Sequence, residues 1–172
     1  MMTKEQELLE YIKHHFDTDL IESDGRFVWN VRGHGITVGR EAGCINKEGY
    51  RVMGIQGKRF YAHRLAWLWV YGKFPSKEID HINGNRLDNR IPNLRDVTKQ
   101  ENRKNQKIHK KNTSGVMGVY WSKDRKIWRV KISCNKKQLH IGCYKEFDDA
   151  VEARKEAERK YGFHPNHGRV VV

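Results

Sequence analysis

Four side chains in the middle of this 172-residue chain, Asp80, His81, Asn93 and Asn102, are of the types that hydrolysis of a phosphodiester requires. The reaction needs a base for water, an electrophile for the phosphate oxygens, and something to hold the base. A histidine, with an ordinary pKa of about 6.5, can accept a proton near neutrality. Carboxylate and amide oxygens are hard donors that suit Mg²⁺ or Mn²⁺ and leave coordination positions for water and phosphate. Such an ion would stabilise charge on the leaving oxygen. Neighbouring residues on a strand point to opposite faces, so Asp80 and His81 can act together only at an irregular strand end. The turn signal Asn83-Gly84 supplies one.

The elements that must position these residues follow from periodicity and caps. Glu78-Ile79-Asp80-His81-Ile82 alternates apolar and polar residues, as a strand running into that turn does. Ahead of it, residues 63–71 are apolar nearly all round and stop at Gly72, which predicts a buried helix. Its first residue, His63, is expected to be structural or to contact phosphate. Thr98-Lys99-Gln100-Glu101 is a capping box, so Thr98 is the expected N-cap of a helix with Asn102 in its first turn and Asn105 and Gln106 along one face. At the amino end, Thr3 and Gln6 form a similar box before Leu8, Leu9, Ile12 and Phe16, and predict a helix over residues 4–16. Between Arg26 and Ala62, short apolar runs separated by glycines read as strands and hairpins. The polar stretch 110–115 reads as a linker. Beyond it, three strands at 116–121, 127–133 and 138–143 are followed by a helix from Glu146. In the second of these strands Trp128, Val130 and Ile132 alternate with Arg129, Lys131 and Ser133, which makes the basic side a candidate binding face.

Composition narrows the partner. The chain has 34 Lys+Arg against 21 Asp+Glu, a formal charge of +13, with 37% apolar residues and 5 Trp, enough to bury a core. Residues 1–60 are neutral, whereas residues 61–112 carry +7 and residues 113–172 carry +6. Basic excess spread over two folded, aromatic-containing segments points to a polyanion bound along an extended face. The cations around the proposed site, Arg86, Arg90, Arg95, Arg103, Lys104 and Lys107, are expected to contact phosphate. No apolar run approaches the roughly 18 residues of a membrane span, and the acidic start lacks a signal segment, so a soluble cytoplasmic protein without a membrane partner is expected. The three cysteines, Cys44, Cys134 and Cys143, show no Cys-x-x-Cys spacing and are expected to be reduced thiols rather than a disulfide or zinc framework.

Residues 43–106 resemble the HNH endonucleases, in particular the phage-type homing enzymes. The resemblance is carried by Tyr61-Ala62-His63-Arg64-Leu65-Ala66-Trp67, Glu78-Ile79-Asp80-His81-Ile82-Asn83-Gly84, Asn89-Arg90-Ile91-Pro92-Asn93-Leu94-Arg95 and Gln100-Glu101-Asn102. It implies a ββα-metal fold with one divalent ion, Mg²⁺ or Mn²⁺, held by Asp80 and Asn102. By the same resemblance His81 is the general base, Asn93 orients its imidazole through the side-chain amide, and cleavage leaves 5′-phosphate and 3′-hydroxyl ends. The third letter of the motif is Asn102 rather than histidine, which favours magnesium over zinc or nickel. Residues 114–162 are similar to the Apetala/ethylene-response-factor DNA-binding domain, through Gly118-Val119-Tyr120, Lys126 to Ile132, Ile141 to Tyr144 and Phe147-Asp148-Asp149-Ala150. That similarity implies a sheet in the major groove and puts Tyr120, Arg125, Arg129, Lys131 and His140 near DNA-contacting positions.

The resulting expectation is an α+β chain: an N-terminal helix and strands over residues 1–42, an HNH nuclease module over 43–109, and a linker with a three-stranded antiparallel sheet plus helix that binds DNA over 110–172. It is expected to be a monomeric DNA endonuclease of homing type that cuts double-stranded DNA and uses no small-molecule cofactor. A DNA-binding regulator with an inactive HNH site is the main alternative, and a nuclease or binder of structured RNA is a third.

Overall fold

The computed structural model describes residues 2–169 and divides into two compact units that meet between Lys99 and Gln100. It is a mixed α/β structure whose small sheets are antiparallel. The division falls at the start of the helix that carries Asn102, upstream of the polar stretch 110–115.

The first unit begins with α1 (Lys4–His15), capped as its sequence predicts: Thr3 Oγ1 accepts from Gln6 N at 3.2 Å and Gln6 Oε1 accepts from Thr3 N at 2.8 Å. A second helix, α2 (Thr18–Asp24), was not anticipated. Asp17 caps its start by accepting from Asp19 and Leu20, and Gly25 ends it in the left-handed region at φ 66°. Between Arg26 and Ala42 the glycine-rich segment forms isolated pairings such as Val28 with Glu41 rather than the expected run of strands. Regular pairing starts with β1 (Cys44–Ile45), β2 (Arg51–Ile55) and β3 (Lys58–Tyr61), which form one sheet in that order. Helix α3 (Ala62–Tyr71) follows and ends at Gly72. It packs on α1, α2, β2 and β3, and Leu65, Ala66 and Leu68 meet Ile12, Phe16, Ile21, Phe27, Met53 and Ile55 in the core.

The chain then forms a two-stranded ribbon, β4 (Glu78–His81) with β5 (Leu94–Val97), preceded at β5 by a short 3₁₀ turn at Ile91–Asn93. Two strands alone are marginal in water, so the ribbon depends on Ile79 and Leu94, which it contributes to the core around α3. Helix α4 (Lys99–Arg103) starts directly after Thr98 and stops early, so Asn105 and Gln106 lie past its end rather than on its face.

The second unit contains α4 from Gln100 onward, then β6 (Val119–Ser122), β7 (Ile127–Cys134) and β8 (Lys137–Tyr144), with α5 (Phe147–Lys160) packed on the sheet. Val119, Val130 and Ala150 form its centre, joined by Trp128, Tyr144 and Phe147. A bulge at Val130/Lys131 leaves Ile141 unpaired between Gly142 and His140. Among the described residues no helix is long and apolar enough to cross a membrane, and the three cysteines are free thiols.

Arg154 of α5 is buried and donates from Nη1 to Lys131 O at 2.5 Å, from Nε to Glu158 at 2.8 Å, and approaches His167 Nε2 at 3.3 Å. Gly118 leaves room for this guanidinium. Its φ is 78°, and a Cβ there would stand 2.3 Å from Lys131 O and 2.7 Å from Arg154 Nη1. Gly118→Ala is therefore predicted to destabilise the second unit by about 2 kcal/mol or more. Denaturant unfolding followed by tryptophan fluorescence checks this, and an unchanged midpoint would refute it.

Candidate active site

The ribbon places Asp80 opposite Arg95 and His81 opposite Leu94 in regular antiparallel register. Cross-strand partners share a face, so a carboxylate and a guanidinium meet here at close range. Arg95 Nε and Nη2 donate to Asp80 Oδ2 at 2.8 and 2.5 Å, and Asp80 is buried. Arg95, expected on phosphate, thus spends its guanidinium on the carboxylate. His81 is the last residue of β4. Its carbonyl accepts from Gly84 N at 2.8 Å, so the chain leaves the ribbon immediately after the imidazole, at the turn that the sequence signalled.

The imidazole of His81 is 4% exposed and sits among aromatic rings. His63 meets it edge-on with ring centres 5.2 Å apart, and the Tyr50 ring lies at 5.8 Å. His81 Nε2 lies 3.3 Å from Asn89 Oδ1. Burial holds the His81 pKa below the ordinary histidine value, opposed in part by the Asn89 hydrogen bond and the Asp80 charge. The ring is accordingly neutral near pH 7, the state a general base requires.

Asn93 does not meet the imidazole through its amide, the role that the resemblance implied. Its Oδ1 accepts from Asn83 N at 2.9 Å and its Nδ2 donates to Asp88 O at 2.7 Å, so it ties the two ends of the 83–88 loop together. The same loop is braced by Asn83 donating to Asp88 Oδ2 at 2.7 Å and by Asn85 N donating to Asn83 Oδ1 at 2.8 Å. The loop delivers Asn89, a residue quoted in the motif but given no role, to the imidazole. Tyr50 and His63 are the other neighbours that sequence reasoning left without a catalytic part. Alternation along one strand says nothing about which side chains arrive from β2, α3 and a loop.

The remaining expected residues divide into committed and exposed groups. In the first unit, Arg86 stacks on Tyr50 with Cζ 4.7 Å from the ring centre and donates to Glu48 O, while exposed Arg90 pairs with Asp88 at 2.7 Å. That pairing lowers the Asp88 carboxyl to about 2. In the second unit, Lys104 is half-buried and its Nζ donates to Tyr161 O at 2.6 Å, whereas Arg103, Lys107 and Arg125 are exposed. Asn102 is half-buried on α4. Tyr120, Arg129, Lys131 and His140 share one face of the second sheet: Tyr120 pairs with Arg129, Lys131 with His140, and the Lys131 ammonium lies 5.4 Å from the Tyr120 ring centre. Tyr120 Oη and Arg129 Nε are both buried there without a hydrogen-bond partner among the described residues. Also among the described residues, no cluster of three or more His, Cys, Asp or Glu side chains is disposed to hold a metal ion.

Residues 60–104 match the family model of the HNH endonucleases, which spans α3, the β4–β5 ribbon and α4. The chain is also similar to Protein 3.8 of Escherichia phage T7, with 41% identity over 86 residues, covering 47% of this chain and 71% of the phage protein. The chain belongs to the same family as that phage protein, and its HNH endonuclease domain is the part that the family model matches. No solved structure matches it.

Two outcomes test this geometry. Gly25, at φ 66°, packs so closely on the loop that a Cβ would stand 2.2 Å from the backbone carbon of Asn89. Gly25→Ala is predicted to cost about 2 kcal/mol and to shift the His81 imidazole resonance in NMR as Asn89 is displaced. A destabilised protein with an unmoved His81 signal would contradict the coupling. His63 is lowered from 6.5 to about 3, first by burial and then by the neighbouring His81 and Arg64. The folded chain therefore binds fewer protons than the unfolded chain between those values, and stability falls as pH drops through that window. From about pH 7 to about pH 5 the loss from this group is about 2 kcal/mol. Denaturant titrations of the wild type and His63→Phe should differ in acid sensitivity by that amount; equal sensitivities would refute it.

Proposed function

We propose that the protein is a divalent-metal-dependent endonuclease of double-stranded DNA, of the homing type, acting as a monomer. The observation that carries this reading is the buried, neutral His81, placed beside the buried carboxylate of Asp80 within the HNH match. His81 is the general base. With Nε2–H donating to Asn89 Oδ1, the basic lone pair of the ring is on Nδ1, which takes the proton of the attacking water. Asn89 and Asn93 act in sequence: Asn93 closes the loop, and the loop holds Asn89 against the ring.

Asp80 and Asn102 are the proposed ligands of one Mg²⁺ or Mn²⁺ ion. The donor chemistry fits, since a carboxylate and an amide oxygen are hard ligands. Arg95 already engages Asp80 Oδ2, so the ion would have to share this carboxylate with the guanidinium or displace it. When bound, the ion stabilises negative charge on the phosphate and the leaving oxygen.

Arg86, Arg90, Arg103, Lys107 and Arg125 are the cations proposed to contact phosphate. The sheet face with Tyr120, Arg129, Lys131 and His140 is proposed to contact DNA in the manner of the Apetala-type domain. The grouping of basic side chains around an aromatic ring on this face supports this, with Arg129 Cζ 5.8 Å and the Lys131 ammonium 5.4 Å from the Tyr120 ring centre.

The test is conversion of supercoiled plasmid in Mg²⁺, in EDTA, and with His81→Ala. Nicked or linear product is expected only with the metal, and loss of the base should slow the reaction by about 10²–10⁴-fold. A protein that binds the plasmid yet leaves it intact across Mg²⁺ and Mn²⁺ would instead be the DNA-binding regulator.

A further inference from the structure

Helix α4 is too short to hold its shape by its own backbone bonds. It is 5 residues long and buries none of them. A free helix of that length does not persist in water, because nucleation costs more than so few hydrogen bonds return. Yet it carries Asn102, whose proposed task as a metal ligand requires a fixed position.

The second unit secures both ends of this helix. At its start, Gln100 Nε2 donates to Asn135 Oδ1. Asn135 and Lys136 form the two-residue turn between β7 and β8, with φ of 51° and 62°, a conformation that asparagine tolerates better than most residues. At its end, the chain following α5 turns back along the segment that follows α4. His164 N donates to Lys104 O at 3.0 Å, Gly168 N to Gln106 O at 2.8 Å, and Ile108 N to Arg169 O at 3.1 Å. Arg169 Nη1 reaches Asn105 O at 2.7 Å, Asn105 Oδ1 at 3.0 Å and Asn166 O at 3.1 Å. Asn105 is buried, and its N–H donates to Asn102 O at 3.0 Å. A short chain of bonds therefore runs from Arg169 through Asn105 to the backbone of Asn102.

We infer that residues 163–169 and the β7–β8 turn form a clamp that fixes α4, so that Arg169 and Gln100 are positioning residues for the nuclease reaction. The inference rests on the reading of Asn102 as a metal ligand. It gives the C-terminal unit a second task besides holding DNA: it sets the backbone from which one metal ligand projects. Neither residue touches the substrate. Their removal alters how much metal the reaction needs rather than how tightly DNA is bound.

The experiment uses the full chain as wild type, Arg169→Ala, Arg169→Lys, Gln100→Ala and Asn102→Ala. Three quantities are measured: hydrogen exchange over residues 99–105, the Mg²⁺ concentration for half-maximal plasmid cleavage, and plasmid affinity in EDTA. Arg169→Ala and Gln100→Ala should speed exchange in that segment and raise the Mg²⁺ midpoint by about tenfold, the scale on which support of a metal ligand acts. Plasmid affinity should stay within about twofold, because the phosphate-contacting cations that dominate affinity are untouched. Arg169→Lys, which keeps a cationic donor, should recover part of the loss. Unchanged exchange overturns the clamp, and so does faster exchange with an unmoved midpoint while Asn102→Ala raises it. If Asn102→Ala itself leaves the midpoint unchanged in a protein that His81→Ala inactivates, the ligand assignment fails first and the clamp's catalytic role fails with it.

Discussion

The constraint on which the first unit depends is the burial of two ionisable side chains, Asp80 and His81, on a ribbon of only two strands. Removing a charged group from water is costly unless the charge is paired or lost. The chain uses one remedy for each residue. Asp80 is paired, receiving the Arg95 guanidinium from the facing strand. His81 gives up its charge and is packed among Tyr50, His63 and Asn89. Two neighbouring positions on one strand are therefore accommodated in opposite ways, one by an ion pair and the other by neutrality.

Those remedies dictate much of the surrounding structure. The neutral histidine needs an apolar wall, which the N-terminal turn of α3 supplies through His63 and which β2 approaches through Tyr50. It also needs an oriented acceptor, and Asn89 can serve only if the 83–88 loop is rigid. The loop has few apolar residues to stiffen it, so asparagine amides bond to backbone in their place, with Asn93 at the base. Gly25 lets α2 end directly against the backbone of Asn89. The short helix that sequence reasoning missed thus buttresses the residue whose role it also missed.

Local signals made most elements legible. The capping box of α1, the apolar run and terminal glycine of α3, the alternation of β4 and the strand and helix periodicities after residue 115 all correspond to observed elements, because each depends on nearby residues. Helix α2 had equally local marks in Asp17 and Gly25, but its seven residues contain too few apolar positions to show a period. The partners of the site were less legible for a different reason. That Arg95 faces Asp80 depends on register across a ribbon, and that Asn89 rather than Asn93 meets His81 depends on how a loop folds. Both asparagines lie within one motif, and type and spacing alone do not say which amide turns to the ring and which to the backbone.

The same distinction changes how the formal charge of +13 should be read. Net charge acts at a distance and draws the chain to a polyanion whatever its cations touch. Close contact with phosphate is more selective, because it needs donors that the fold leaves within reach of solvent. Arg51 is held by Glu41 at 2.7 Å, Arg64 by the carbonyls of Pro75 and Lys77, Arg95 by Asp80, and Arg154 by Glu158 and Lys131. These guanidiniums hold the fold, and arginine suits that work because its planar fork spans several acceptors at once. Exposed Arg103, Lys107 and Arg125 have no such buried commitment. A sequence count treats the two groups alike, whereas the structure assigns one to cohesion and leaves the other at the surface where a nucleic acid backbone can reach it.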